Sequence, residues 1–290
     1  MHSFARRSSF AVVSPLFVLA AALSMAACNK KDDPKPIAES PPPPAVSAKP
    51  PAPKAVRFAI ASDGGKLSVL IDAPLEKFKG ETAKLSGVID VQPDALTQSK
   101  GEIDGDLDAF VTHTFNDKDK DETQTEHAKN WFELGDKVDA KMRDDYRMAR
   151  FIIESIEKSS VKSLADAPEE NGVRTVKLEA KGTLRVHGRS APKTVAVTVK
   201  FSGPPMAPTS LRFSTDAPLV ASLSEHDVKP RDLAGKFLNG ALEQVGKKLD
   251  DKAQVSVEGK ADAKPVDAMM AAPSAPGSAG AAPSAAGSAK

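Results

Sequence analysis

Apolar and polar residues alternate most regularly between positions 173 and 201. Val176, Leu178, Ala180, Gly182, Leu184 and Val186 share one parity, and Lys177, Glu179, Lys181, Thr183, Arg185 and His187 share the other. A period of two sustained over this length predicts a long strand with one dry face and one wetted face. The parity puts His187 on the wetted face, away from any interior. After residues 188–193 the pattern resumes with Val195, Val197, Val199 and Phe201 on the apolar side, which predicts a hairpin within an antiparallel sheet.

The same alternation recurs along the chain. Val56, Phe58 and Ile60 predict a first strand, Asp63-Gly64-Gly65 a turn, and Leu67, Val69 and Ile71 a second strand. Further strands are predicted over 85–91, 103–111, 151–156, 211–215, 217–223 and 254–259. Two patches follow helical spacing instead. Residues 123–134 open on a Thr cap and end before Gly135. Residues 231–249 place Leu233, Phe237, Leu238, Ala241, Leu242, Val245 and Leu249 at helical spacing, a stripe that would be buried across a barrel mouth. The expected fold is all-β: an antiparallel barrel of about eight strands with one or two flanking helices.

Several of these segments carry a resemblance. Gly182-Thr183-Leu184-Arg185-Val186-His187-Gly188, with the valines that follow, resembles the hairpin of the YceI-like family. Phe78-Lys79-Gly80 with Leu85-Ser86-Gly87, Glu126-His127 with Trp131-Phe132, and Ala149-Arg150-Phe151 with Ser155-Ile156 are similar to three other segments of that family. The likeness runs from about residue 55 to 261. Gln124, Thr125 and Ala128 depart from the Arg, Asp and Leu common there, and the helical segment from Asp227 is longer than expected. These departures bear on the ligand more than on the fold. The resemblance implies a lipocalin-like barrel that binds polyisoprenoids or related lipids.

The candidate ligand-binding residues are therefore the inward parity: Val69, Ile71, Leu85, Ile89, Ile103, Leu107, Leu184, Val186, Val197, Val199 and Phe213. Periodicity serves a packed core as well as it serves a cavity. Gly87, Gly105 and Gly182 share the inward parity, and they either permit sharp coiling or leave space. A dry cavity lined by Leu, Ile and Val would take an apolar molecule by burial alone, with no bond made or broken. His127, Trp131 and Phe132 form a candidate rim, or else the docking face of a helix.

The ends of the chain are of different character. Arg6 and Arg7 precede an apolar stretch over 10–23, and Cys28, the only cysteine, follows Met25-Ala26-Ala27. This resembles a bacterial lipoprotein signal, with residues 1–27 removed and Cys28 acylated as a membrane anchor. Residues 28–54 read as a Pro-rich disordered tether, 55–264 as the barrel domain, and 265–290 as a disordered Ala/Pro/Ser/Gly tail. The expected location is the periplasmic side of a bacterial membrane. Asn29 in place of Asp after the cysteine favours the outer membrane.

Composition narrows the function. A net charge of +1 gives no field for nucleic acid. No nucleophile elbow, phosphate loop or paired metal-spaced histidines occur, so neither an enzyme nor a cofactor is expected. Residues 117–122 place acids at alternate positions like a calcium loop, but Glu122 stands where the turn needs Gly and Ala128 where a Glu ligand belongs, so a solvated loop without metal is expected. The reading is a membrane-tethered carrier of a long apolar lipid, isoprenoid or quinone-like. The alternative is a structural or adaptor lipoprotein with a solid core and a protein partner. A hydrolase using His127 stands third.

Overall fold

A computed structural model describes residues 54–72, 77–229 and 251–264. The signal segment, Cys28, the tether up to residue 53, the helical patch 231–249 and the tail lie outside the described residues. The chain forms β1 (Val56–Ile71), β2 (Phe78–Thr82), β3 (Leu85–Val91), β4 (Lys100–Asp106), β5 (Val111–Thr112), α1 (Lys118–Trp131), α2 (Ala140–Tyr146) and β6 (Met148–Ser159). It continues with β7 (Glu169–Glu170), β8 (Val173–Val186), β9 (Arg189–Ser202), β10 (Ser210–Thr215), β11 (Leu219–Ser222) and β12 (Lys252–Ala263).

Eight of these strands close a ring in the order β1-β3-β4-β6-β8-β9-β10-β12, with β12 returning to β1 and every pairing antiparallel. Closure removes the unpaired edges that an open sheet would expose. The shorter strands extend the upper end: β2 pairs with the second half of β1, β5 with β2, and β11 with the first half of β12.

The first two expected strands are one. β1 runs through Asp63-Gly64-Gly65 without reversing, and its register against β12 steps from Ile60–Ala261 to Gly65–Gly259. The additional residues on β1 form a bulge, which switches the buried parity from Phe58 and Ile60 to Leu67 and Ile71. A Cβ on Gly65 would lie 2.3 Å from the Glu258 carbonyl oxygen, so only glycine permits the approach. Bulges and hairpin turns use the same glycine chemistry, so the glycine-rich signal alone does not separate them.

The long hairpin has the expected inward parity but a tighter turn. His187 (φ 49°) and Gly188 (φ 71°) alone connect β8 to β9, both left-handed, as a two-residue type I′ turn requires. Pro192 therefore lies inside β9. Counted from the turn, the Thr183–Pro192 pair is non-hydrogen-bonded, and β10 joins β9 only from Val197 onward, so the missing N–H breaks no ladder bond. The expected fourth strand stops early: β4 ends at Asp106 and a 3₁₀ turn over Leu107–Ala109 intervenes before β5.

The helix expected at 123–134 begins earlier. Asp117 caps it, its side chain accepting from the Lys120 amide, and Asp119 and Asp121 lie in the first turn, where carboxylates favour the helix dipole. The acidic run thus opens α1 instead of forming a loop. Thr112 ties β5 to this helix, its amide donating to Thr125 Oγ1 at 2.9 Å and its hydroxyl to the Asp121 carbonyl at 2.8 Å.

Cross-strand ion pairs fix the register on the outer wall. Arg57 and Asp90 are register partners on β1 and β3 and form a bidentate pair at 2.6 and 2.7 Å. Arg150 on β6 does the same with its partner Asp104 on β4, with Glu102 at 3.2 Å. The lower end of the barrel is plugged by Phe58, Leu96, Leu164, Val176 and Phe201, all essentially inaccessible, with Phe58 and Phe201 edge to face.

Candidate functional site

The barrel interior is not filled. A lower cavity of about 120 Å³ is bounded by side chains from β3, β4, β6, β8, β9, β10 and β12. A second, of about 80 Å³, lies above it beneath α1. Leu67, Ala149, Leu184 and Val255 border both, forming a waist between two lobes. Both linings are almost wholly aliphatic or aromatic. Ser99, Lys100 and Thr215 are the polar exceptions below, and Ser222, His226 and the Trp131 indole those above.

The lower lobe takes Ile89, Ile103, Val197, Val199 and Phe213 from the expected set. Val69, Ile71, Leu107 and Val186 border the upper lobe, and Leu184 the waist. Leu85 borders neither. It is fully buried in the wall, where its methyls occupy the space beside Gly65 and Gly105. Of the inward glycines, only Gly105 faces a cavity. A Cβ on Gly87 would meet the Glu102 carbonyl oxygen at 2.1 Å, and one on Gly182 the Ile152 oxygen at 1.9 Å, so those two serve the close coiling of neighbouring strands.

Trp131 and Phe132 line the upper lobe, whereas His127 faces solvent on α1. The Trp131 ring stacks on Phe78 with centroids 6.4 Å apart, Phe78 stacks on Phe110, and Phe132 meets Phe110 edge-on. This aromatic group roofs the cavity. Ala149, Phe151, Ile153 and Ile156 of β6, Val255 and Val257 of β12, and Leu96 also contribute. Two register shifts in β6, near Ile153 and Ile156, carry Ile156 inward on the opposite parity from Phe151, which simple alternation does not reveal.

His187 overturns its expected place. As a turn residue it leaves the strand's alternation, and only 4 % of it is exposed. Its ring packs 4.2 Å from that of Tyr146, Nε2 lies 3.8 Å from Glu133 Oε1, and Nδ1 donates to the His226 backbone carbonyl at 3.3 Å. It thereby steadies the loop after β11. In that loop Ser222 and Ser224 both bond to the Asp251 carboxylate, the Val228 amide donates to the Leu223 carbonyl, and Lys193 reaches Glu225 at 3.3 Å. The loop delivers His226, 2 % exposed, to the wall of the upper lobe. Burial holds its imidazole below the ordinary pKa, with Lys193 acting in the same sense and the Arg189 carbonyl opposing. A lone histidine in a turn carries no periodic signal, so nothing in the sequence singled it out.

These features define a lipocalin-like antiparallel barrel with a divided apolar interior. The chain belongs to the YceI-like domain family, whose pattern matches residues 58–261. Among solved structures it is similar to BcnA of Burkholderia cenocepacia, with 18 % identity over 69 % of this chain and 98 % of that one and a TM-score of 0.45. A polyisoprenoid-binding domain from Saccharophagus degradans shows 12 % identity over 72 % and 99 %, with a TM-score of 0.48. The YceI protein of Campylobacter jejuni shows 16 % identity over 64 % and 85 %, with a TM-score of 0.38. No curated protein matches the chain in sequence.

Proposed function

We propose that this protein carries a long apolar lipid, isoprenoid or quinone-like, inside its barrel, and that acylated Cys28 tethers it to the periplasmic side of a bacterial membrane, the outer membrane being favoured. The observation that carries the reading is the unfilled, apolar, two-lobed interior. At about 24 cal/mol per Å³ of void, the lower lobe costs the empty protein on the order of 3 kcal/mol and the upper about 2 kcal/mol. A flexible hydrocarbon chain threading the waist would recover much of that. The Cys28 context supports the tether, since a thiol directly after small residues and an apolar stretch is where acylation occurs.

The test is mass spectrometry of lipid extracted from protein purified out of bacterial membranes. A stoichiometric polyprenyl or prenylquinone species is the expected result. Protein that emerges lipid-free from every preparation, and takes up none from vesicles, refutes the carrier reading. Cys28→Ser should separately move the protein from the membrane to the soluble fraction without altering the lipid it holds.

A further inference from the structure

The two ends of the cavity are closed in different ways. The roof of Phe78, Phe110 and Trp131 comes from β2, α1 and the segment before β5, none of them a strand of the closed ring. The floor belongs to the ring itself. Along β9 the side chains that line the lower lobe are Val195, Val197 and Val199, a row of small β-branched residues, and then Phe201. Phe201 is 2 % exposed and packs edge to face on Phe58 of β1, which is wholly buried and borders neither lobe. Two 3₁₀ turns lock together at the same end, the Leu96 amide donating to the Lys162 carbonyl at 3.1 Å and the Leu164 amide to the Pro93 carbonyl at 2.7 Å. Both lobes expose carbon almost exclusively, because the polar residues on their borders turn apolar atoms to the space. A head group drawn inside would lose its water and find no partner.

We infer that the floor is a dead end that limits the ligand's length: a lipid with one polar end enters tail first from the upper end, its tip stops against Phe201, and its head group stays outside. The inference rests on the carrier reading and sharpens it, from an apolar lipid of any length to a single-headed one whose buried tail has an upper bound. The roof is the side that can open, because lifting it breaks no pairing between ring strands, whereas opening the floor would. Phe201 is the side chain that sets the bound. Phe201→Ala removes about six carbons from the end of the passage, roughly the bulk of one isoprene unit, and leaves the waist and the roof untouched.

The probes are prenyl alcohols of two to eight isoprene units, titrated by calorimetry into the delipidated full-length protein. In the wild type each added unit should tighten binding about tenfold or more until the tail reaches the floor, and less than about twofold thereafter. In Phe201→Ala that break should move one unit further along the series. A break that stays in place in the folded variant overturns the inference, as does a wild type whose affinity rises without any break. A second readout needs no variant. A prenyl alcohol carrying a diazirine at its tail tip is photolysed in the wild-type complex, and the adduct is located by tandem mass spectrometry. Attachment at Phe201, Leu96 or Leu211 is the expected result. Attachment at Phe78, Phe110 or Trp131 puts the tail at the other end and overturns the inference. All of these failures leave the carrier reading standing, since lipid is bound in each. If no prenyl alcohol binds, the carrier reading falls and this inference falls with it.

Discussion

Ala149 offers a perturbation whose two consequences have opposite sign. It is buried at the waist, bordering both lobes, with Leu107 and Leu134 beside it. Ala149→Leu adds three carbons where the interior is open. At about 0.8 kcal/mol per buried methylene, a side chain that finds that space stabilises the delipidated barrel by about 2 kcal/mol. For a domain of this size, that raises the melting temperature by roughly 4–8 °C. The same carbons fill space at the waist that borders both lobes, so the lipid recovered per mole of protein should fall several-fold. Urea unfolding of delipidated wild type and variant gives the first quantity, and extraction with mass spectrometry the second. Delipidation matters, since a bound ligand would itself stabilise the wild type. A loss of more than about 1 kcal/mol would mean overpacking, and hence no room beside Ala149. A gain in stability with undiminished lipid would show that the lipid sits elsewhere.

Other expectations concern the wall and the loop. Arg57→Ala leaves the Asp90 carboxylate buried without its bidentate partner and should cost about 3–5 kcal/mol in urea unfolding; replacing both residues with leucine should restore most of it. His226 is harder to protonate in the folded barrel than in the unfolded chain. Its contribution to stability is therefore complete above about pH 6.5 and declines as pH falls below that value toward the lower folded pKa. Lys193 and Glu225 are the charged groups facing it. Thermal melts from pH 7.5 to 5 should show a shallower decline for His226→Leu than for the wild type, and identical slopes would exclude the histidine as the cause.

The parity of β8 and β9 was legible because each strand is dry on one face and wet on the other, so the alternation survives whatever fills the barrel. For the same reason it could not distinguish a packed interior from a hollow one. That distinction depends on whether side chains from opposite walls meet, which is a property of the closed ring. The segment at Asp63-Gly64-Gly65 was misread because only the partner strand decides between a reversal and a bulge, and β12 lies nearly two hundred positions away in the chain. β6 hid part of its lining behind two bulges. α2 has no apolar stripe to announce it, and no residue within it is buried. His187 and His226 lie in turns, where tertiary contacts alone set burial, and the aromatic roof draws on β2, α1 and the segment between them.

The seam between β1 and β12 ties the beginning of the barrel to its end, with Phe58 opposite Ala263 and Ile71 opposite Ala253. Until β12 arrives, β1 and β10 each lack a neighbour on one side, and the nascent sheet is sticky along both borders. Closure of the ring must therefore wait for β12, a pairing of long sequence separation that favours slow folding. A nonsense mutation just ahead of Lys252 would spare every described strand but β12 and yet leave the molecule unable to finish itself.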